Sequence, residues 1–348
     1  MIRSDTLEMD THFTSGIKRH ALDWQDPLLF DALEALPEDE DFPHELIRLL
    51  AQPRGGRRKT IWLLTQGGEP IAVAPLRQQS AFSWQPITQY ILPGIVIPAA
   101  HGKLYPALGA VGHTLHIALW GVNCDLPSSS LVRELSTTVT HRMSCAGDFE
   151  AYWKSTDIWR SLRSAKNKST HLTLRENAPG ASEWIISSWA KKWGIAEDET
   201  QDRILAAQFL EKRGKHFSLT LFDGDRPVAG QTCLSHRGEM IAQCLYREND
   251  SNSLGNRIIH LTFCWAKEKG FRAIDIGGGY DYKRKFAPPA GEEHAFVVAP
   301  RWRYATEQAL RGIKRRVIGA PARWQQSATG AFCLSLAHRS ENWAPLLG

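Results

Sequence analysis

The sequence has little cysteine and no spacing of cysteine or histidine that is typical of a metal site. Its six cysteines, at positions 124, 145, 233, 244, 264 and 333, form neither a CxxC pair nor a Cys/His ligand pattern. The thirteen histidines include no HExxH arrangement. We therefore expect a reduced, cytoplasmic protein without a metal ion.

Several motifs of common enzyme classes are also missing. There is no GxSxG elbow, no GxxxxGK(S/T) loop and no GxGxxG at the start of a helix, which disfavours serine hydrolases, nucleotide triphosphatases and dinucleotide-binding enzymes. The longest apolar run, Tyr90–Ala100, is interrupted by Pro93 and Pro98 and is too short to cross a bilayer. The N-terminus has no apolar segment typical of a secretory signal, so we expect no membrane span.

What is present describes a globular protein of two domains. The 348 residues are 43% apolar and 23% charged, and domains usually contain roughly 100–200 residues. The net charge of +5 is concentrated in two basic runs, at 154–175 and 301–316. Such runs are either solvated helix faces or attract a polyanion, which here means a phosphorylated cofactor, an acidic carrier or RNA.

One pattern of helices followed by a hairpin occurs twice. The first half predicts helices over 27–36 and 43–50, then a hairpin of TIWLL and IAVAPLRQQ joined by QGGEP. The second half predicts helices over 182–193 and 202–213, then a hairpin of HFSLTLF and VAGQTCLSH joined by DGDRP. Strands at 91–97 and 116–120 complete the first half less regularly. Helices combined with antiparallel hairpins indicate a layered α/β fold.

The segment from Ser253 to Phe286 carries most of the functional information. A strand at 240–246 precedes a helix at 256–269, and a strand at 273–276 then runs into three glycines and a Tyr-Asp-Tyr-Lys cluster. Glycines after a strand allow the backbone to approach a ligand closely, because they have no Cβ. The start of the helix offers free N–H groups that suit a phosphate. This pattern indicates a site at the end of a strand.

These residues resemble the GNAT acyltransferase superfamily over Leu221–Phe286. The resemblance rests on DGDRPVAGQTCL, LYRENDSNSLGNRIIHLTFCWAKEKG and AIDIGGGYDYKRKF. It is closer to the double-GNAT branch, which includes FemAB-like aminoacyl transferases and CelD/BcsL-type acetyltransferases. Asp148–Ser169 is similar to the basic helical linker between the halves of such proteins.

The resemblance implies a fold and a division of the chain. The fold would be α/β (an α+β mixed sheet), with two GNAT-like halves in tandem, each a mostly antiparallel mixed sheet flanked by helices. The halves would be 1–147 and 177–320, with the linker at 148–176 and a tail at 321–348.

The resemblance also implies a cofactor site. The arm of an acyl-CoA would lie between two diverging strands, and the pyrophosphate would meet the turn and helix start after the fourth strand. The residues there would be Ser253, Gly255, Asn256 and Arg257, and Lys283 would hold a phosphate or a substrate carboxylate. Ser253-Leu254-Gly255 stands where family members often have Ser-Pro-Gly, which leaves acyl-CoA, an acyl carrier protein and aminoacyl-tRNA open as donors.

The chemistry implied is the attack of an amine on a thioester or ester carbonyl. It requires a base for the amine proton, donors for the oxyanion and an acid for the leaving group. Asp275 is the candidate base or amine-orienting group. Tyr246 is the candidate acid that protonates the departing thiolate, and Tyr282 is a candidate contact with the acyl donor. The candidate substrate-binding residues lie on the linker and the glycine turn: Arg160, Arg163, Gly278 and Asp281.

The sequence therefore predicts an N-acyltransferase that moves an acyl group from a thioester donor, with acyl-CoA favoured, to a small-molecule or peptide amine by direct attack. One alternative is a FemAB-like transferase that uses aminoacyl-tRNA, with tRNA as a less favoured partner. Another is a catalytically silent GNAT-like module that binds a carrier or partner protein.

Overall fold

The computed structural model describes residues 17–36, 38, 43–80, 83–87, 114–119, 132–248 and 252–298. The predicted strand at 91–97, the basic run at 301–316 and the tail at 321–348 lie outside these ranges. In the described part of the chain no helix is both long enough and apolar enough to cross a membrane.

The predicted helices and hairpins that fall within the described residues occur in the predicted order, together with further strands that the sequence did not predict. The helices are α1 (Pro27–Ala35), α2 (His44–Ala51), α3 (Phe149–Ser155), α4 (Ile158–Lys168), α5 (Ala181–Trp193), α6 (Glu197–Glu211) and α7 (Asn252–Glu268). The strands are β1 (Ile17–Leu22), β2 (Lys59–Gln66), β3 (Glu69–Ser80), β4 (Ser83–Pro86), β5 (Thr114–Leu119), β6 (Val132–Ser144), β7 (Thr173–Glu176), β8 (His216–Asp223), β9 (Arg226–His236), β10 (Glu239–Arg247), β11 (Ala273–Asp275) and β12 (Pro289–Val298). The mixed α/β fold class is thus confirmed.

Local chemistry fixes several boundaries. Asp26 accepts a hydrogen bond from the Leu28 N–H and precedes Pro27, so α1 begins with both a cap and a favourable first residue. Gly67 and Gly68 have φ of 64° and 98°, which the tight turn between β2 and β3 requires. Helix α6 begins at Glu197, five residues before the predicted start, with three acids in its first turn that favour the positive end of a helix.

The strands form one sheet, in which strands of the two predicted halves lie next to each other. The order is β1-β2-β3-β4-β5-β12-β6-β11-β10-β9-β8-β7. Strand β12 follows the glycine turn in sequence, yet it lies between β5 and β6. The last residues of β6, Arg142–Ser144, pair with β11. The division of the chain at residue 147 remains a prediction, and these pairings show that the two predicted halves share a continuous sheet.

The second half has a helical layer on each face of its sheet. One core cluster joins α3, α4 and α7 to strand residues such as Met240 and Ile274. The opposite cluster joins α5 and α6 to Cys244 and Tyr246 of β10. Helices α3 and α4 also confirm that the predicted linker 148–169 is helical.

Candidate functional site

Strands β10 and β11 run parallel but diverge soon after they meet. Their pairing covers only Met240–Ile274 and Ile241–Asp275, whereas β10 continues to Arg247. An irregularity between Ala242 and Leu245 interrupts its pairing with β9 at the same level. Bulges of this kind bend a strand away from its neighbour. Among the described residues no strand pairs with the far edge of β10 from Ala242 onward, and we call the space beside this edge the cleft. An added strand or an extended ligand would bind to such an edge.

The first turn of α7 lies beyond the far end of this cleft. The helix begins at Asn252, four residues before the predicted start, so Ser253, Gly255, Asn256 and Arg257 all fall in its first two turns. Gly255 is buried, and a Cβ at this position would stand 2.7 Å from Nη1 of Arg247. The Arg247 guanidinium therefore lies against the helix start, where the backbone of a glycine makes room for it.

Arg257 points along α7 toward a histidine. Its Nη1 donates to Nδ1 of His260 at 3.3 Å, since a guanidinium has no acceptor. The other ring nitrogen of His260 then carries the proton and faces Sγ of Cys264 at 3.8 Å. Burial, with Arg257 and Lys166 next in effect, lowers the pKa of His260 to about 4. The imidazole is therefore neutral at physiological pH, and the positive charge at this end of α7 comes from arginine.

The three glycines after β11 form a turn that is held by hydrogen bonds to a residue before it and a residue after it. Oδ1 of Asp275 accepts from the Gly277 N–H at 2.6 Å, and Nζ of Lys283 donates to the Gly278 carbonyl at 2.5 Å. Gly277 and Gly279 have φ of 66° and 99°, a region that side chains disfavour. The turn thus places Gly278 and Lys283 close to Asp275.

The environment of Asp275 suits a proton acceptor. Burial is the main cause of a pKa above the ordinary value of a carboxyl, and the Gly277 N–H, Lys283 and Arg142 oppose the rise. Arg142 stands opposite Asp275 on β6. A carboxyl with a raised pKa at the point where two strands part can accept a proton from a substrate near neutral pH.

The tyrosines of the sequence prediction lie in two different places. Tyr282 follows the glycine turn, with its ring 6.2 Å from Phe286 and 46% of its surface exposed. Desolvation raises the pKa of its phenol, and Arg247 opposes that rise. Tyr246 packs edge-on against Trp184 of α5 with ring centroids 5.3 Å apart. Tyr246 lies five positions beyond Ile241, the partner of Asp275, which corresponds to roughly 16 Å of strand.

The arginines of the linker are on the surface. Arg160 and Arg163 are exposed on α4, whose buried residues Ile158, Leu162 and Ala165 face the core. Helix α4 packs against α7, and Lys166 is close enough to lower the pKa of His260. The exposed face of α4 therefore adds positive charge beside α7.

Sequence reasoning missed Arg247 and Arg142, which stand at the two ends of the site. The signal for Arg247 was its position: it directly follows Tyr246, at the end of a predicted strand and shortly before the start of a predicted helix. Arg142 has no such signal, because its register opposite Asp275 depends on a strand from the first half.

A family comparison agrees with this geometry. Residues 154–284 match the model described as an acetyltransferase (GNAT) domain. Over these residues the chain is similar to GNAT domains. The match includes β10, α7, β11 and the glycine turn, and it supports an acyltransferase as the class of enzyme.

Several solved structures have a similar fold but share little sequence identity with this chain. The C-terminal domain (DUF2156) of a protein assigned as a lysylphosphatidylglycerol synthetase from Agrobacterium fabrum has a TM-score of 0.50 at 13% identity, over 81% of this chain and 95% of that chain. L-PGS from Bacillus licheniformis has a TM-score of 0.49 at 12% identity, over 79% and 92% of the two chains. A tandem GNAT protein from the clavulanic acid biosynthesis pathway has a TM-score of 0.43 at 9% identity, over 81% and 98%. At such identities the likeness concerns the fold alone, and a search of curated proteins finds no match.

Proposed function

We propose that the protein is an N-acyltransferase that uses a thioester donor, with acyl-CoA favoured over an acyl carrier protein, and an amine acceptor. The divergence of β10 and β11 is the observation that carries this proposal. It leaves the edge of β10 free to bind an extended arm, with the start of α7 at one end and Asp275 at the other.

The donor's phosphates would bind at the start of α7. The Ser253 N–H belongs to the unpaired first turn of the helix, whereas Gly255 and Asn256 follow that turn and Gly255 makes room for Arg247. The guanidinium groups of Arg247 and Arg257 would supply positive charge. Lys283 is a weaker candidate for a phosphate ligand, because its ammonium group already holds the Gly278 carbonyl.

The reaction would be a single displacement. The amine nitrogen attacks the thioester carbonyl, Asp275 takes the proton that the nitrogen loses, and backbone N–H groups beside the irregularity in β10 stabilise the oxyanion. The C–N bond forms, the C–S bond breaks and the thiolate takes a proton. Tyr282, whose phenol has a raised pKa and so stays protonated, is the favoured donor of that proton, with Tyr246 as the alternative.

Calorimetric titration with acetyl-CoA, a long-chain acyl-CoA and free CoA tests the donor site. We expect at least one acyl-CoA to bind, and Arg247→Ala or Arg257→Ala to weaken it roughly tenfold, as charge-assisted hydrogen bonds are lost. Arg175→Ala is the control, since Arg175 lies on edge strand β7 and pairs with Asp225. The absence of binding to all three compounds, with the chain folded, would contradict acyl-CoA as the donor.

The basic face of α4 supports aminoacyl-tRNA as a second candidate donor. Helix α4 carries four cations and no acid: Arg160, Arg163, Lys166 and Lys168. Phosphate contacts weaken steeply as salt rises. Binding of tRNA that loses affinity with salt, together with no binding of acyl-CoA, would favour this donor over the first. Binding of a carrier without turnover would instead support the catalytically silent module.

A further inference from the structure

Three large aromatic side chains stand exposed beside the glycine turn. They are Trp193, Tyr280 and Tyr282, with 48%, 37% and 46% of their surfaces exposed. In the part of the chain that the structure describes, the other large apolar side chains of comparable exposure, Leu28 and Val139, stand on other elements. A contiguous exposed aromatic surface is unusual in water and often marks a binding site.

This surface is built from two separate elements. Trp193 is the last residue of α5, which ends at Gly194 in the left-handed conformation, and the tyrosines flank Asp281 after the glycine turn. The ring centroids of Trp193 and Tyr280 are 6.5 Å apart, and those of Tyr280 and Tyr282 are 5.8 Å apart. Interplanar angles of 37° and 34° make the three rings a shallow curved wall, which we call the aromatic wall.

The aromatic wall is bordered by positive charge from the two elements that build it. The last turn of α5 contributes two lysines and the 3-10 turn at Asp281–Lys285 contributes three further cations: Lys191, Lys192, Lys283, Arg284 and Lys285. Asp281 is the one acid within these two turns. A ligand that suits this surface has a flat apolar ring for the wall and an anionic group for its border.

We propose that the aromatic wall selects the acceptor, and that the acceptor is a small amine that carries both an aromatic ring and a carboxylate. The inference rests on the proposed transferase function, because the wall adjoins the turn that holds Asp275. Ring stacking on Trp193 and Tyr280 would hold the acceptor at the mouth of the cleft, and the cations would hold its carboxylate. Trp193 then acts as a specificity residue that does not touch the reacting atoms.

Three probe amines separate the two contacts. L-phenylalanine has the amine, the ring and the carboxylate, phenethylamine lacks the carboxylate, and L-alanine lacks the ring. Binding of each to the full chain is measured by calorimetry, and initial rates are measured with the acyl-CoA that binds. We expect L-phenylalanine to bind most tightly, and Trp193→Ala to weaken it by roughly two- to tenfold, the range of one aromatic pair.

The same substitution should change neither the affinity for L-alanine nor the affinity for acyl-CoA. Leu28→Ala is the control for exposure, because Leu28 is similarly exposed on α1. Trp193→Phe should retain most of the affinity for L-phenylalanine, because it keeps an aromatic ring. We would not expect this if Trp193→Ala acted only by disturbing the fold. The KM for the acceptor should rise in Trp193→Ala while kcat stays within about twofold, since the residue holds the ring in ground state and transition state alike.

The two proposals fail in different ways. Equal affinity for L-phenylalanine and L-alanine, or an equal effect of Trp193→Ala and Leu28→Ala, would overturn the aromatic wall and leave the donor site unaffected. Tight binding of L-phenylalanine that depends on Trp193, without acyl transfer from any donor, would support the wall and refute the transferase.

Discussion

Two buried carboxyl groups, Asp202 and Asp275, show how differently one residue type is used in this chain. Burial raises the pKa of both above the ordinary value. Asp202, on α6, faces cations with both oxygens: Nζ of Lys59 at 2.5 Å and Nη1 of Arg77 at 3.9 Å. Asp275 accepts from a backbone N–H, and its second oxygen receives no hydrogen bond from the part of the chain that the structure describes.

We propose from this difference that Asp202 has a structural role and that Asp275 has the chemical role of a base. Asp202 belongs to a network that joins α6 to strands β2 and β3 of the first half. Its other members are Arg57, Arg77, Asp198, Glu199 and Arg203. Oδ2 of Asp202 also lacks a hydrogen bond, but cations of the first half lie beside both of its oxygens. Asp275 lies beside the proposed cleft, where we expect its second oxygen to exchange a proton with a substrate.

Asp275→Asn should have the largest effect on activity. The amide keeps the shape of the side chain and can still accept from the Gly277 N–H, but it cannot take a proton. We expect kcat/KM to fall by about 10²–10⁴-fold, the usual contribution of a general base. Steady-state kinetics with the acyl-CoA that binds would check this, and a loss below threefold would remove Asp275 from the mechanism.

The same substitution should not destabilise the fold at neutral pH. The folded state holds the proton of Asp275 more tightly than the unfolded state, so this residue's contribution to stability falls as pH rises from 3.8 through the raised pKa. The variant should therefore unfold at the wild-type temperature or above it at pH 7. In the wild type, kcat/KM should fall as pH is lowered through that raised pKa, because the base becomes protonated.

Lys59→Met should lower the stability of the fold and leave the catalysed reaction unaffected. The side chains of Lys59 and Asp202 are 3% and 1% exposed, so the substitution leaves a buried carboxylate whose nearest remaining cation is Arg77. We expect a loss of about 3–5 kcal/mol in the free energy of unfolding, measured by chemical denaturation. Lys59→Met combined with Asp202→Leu should recover most of it, because both members of the pair are removed and Arg77 keeps Glu199 at 3.7 Å. A single variant as stable as the wild type would show that the pair does not hold the halves together.

Local patterns in the sequence are sufficient to predict the elements of the site. The helix stop at Gly270, the short strand before Asp275 and the three glycines each have a signature within a few residues, and all are present in the structure. The predicted start of α7 was wrong by four residues, because Ser253 and Gly255 resemble a cap but lie inside the first turns.

Contacts between distant segments could not be predicted in the same way. Arg142 reaches Asp275 through a register between β6 and β11, and Lys59 reaches Asp202 across 143 residues. The acids at the start of α6 are typical of an exposed helix N-terminus, yet Asp198 and Asp202 pair with the first half. Only the order of strands in the complete sheet brings these groups together, and no single-sequence pattern encodes that order.

Gly56→Ala tests the close approach of Gly56 to Asp198. Of the three substitutions, Asp275→Asn, Lys59→Met and Gly56→Ala, it should have the smallest effect. Gly56 has φ of +71°, and a Cβ there would stand 2.6 Å from the Cβ of Asp198. Gly55→Ala is a matched control, because Gly55 has φ of +84° with nothing within 4 Å of its Cβ position. Both variants carry the cost of a left-handed alanine, roughly 1–2 kcal/mol, and Gly56→Ala should lose about 1–3 kcal/mol more from crowding.

The titration of Asp198 reports whether that crowding separates the ion pair. Oδ1 of Asp198 accepts from Nη2 of Arg57 at 2.8 Å, and these contacts with Arg57 outweigh the effect of burial and lower the pKa of Asp198 to about 2. The stability that this pair contributes is present above pH 3.8 and is lost as pH falls toward 2. In Gly56→Ala we expect the carboxyl pKa, followed by NMR, to rise toward its ordinary value, while Gly55→Ala leaves it unchanged. Equal stabilities and equal titrations in the two variants would show that the close approach of Gly56 to α6 does not maintain the contact between Arg57 and Asp198.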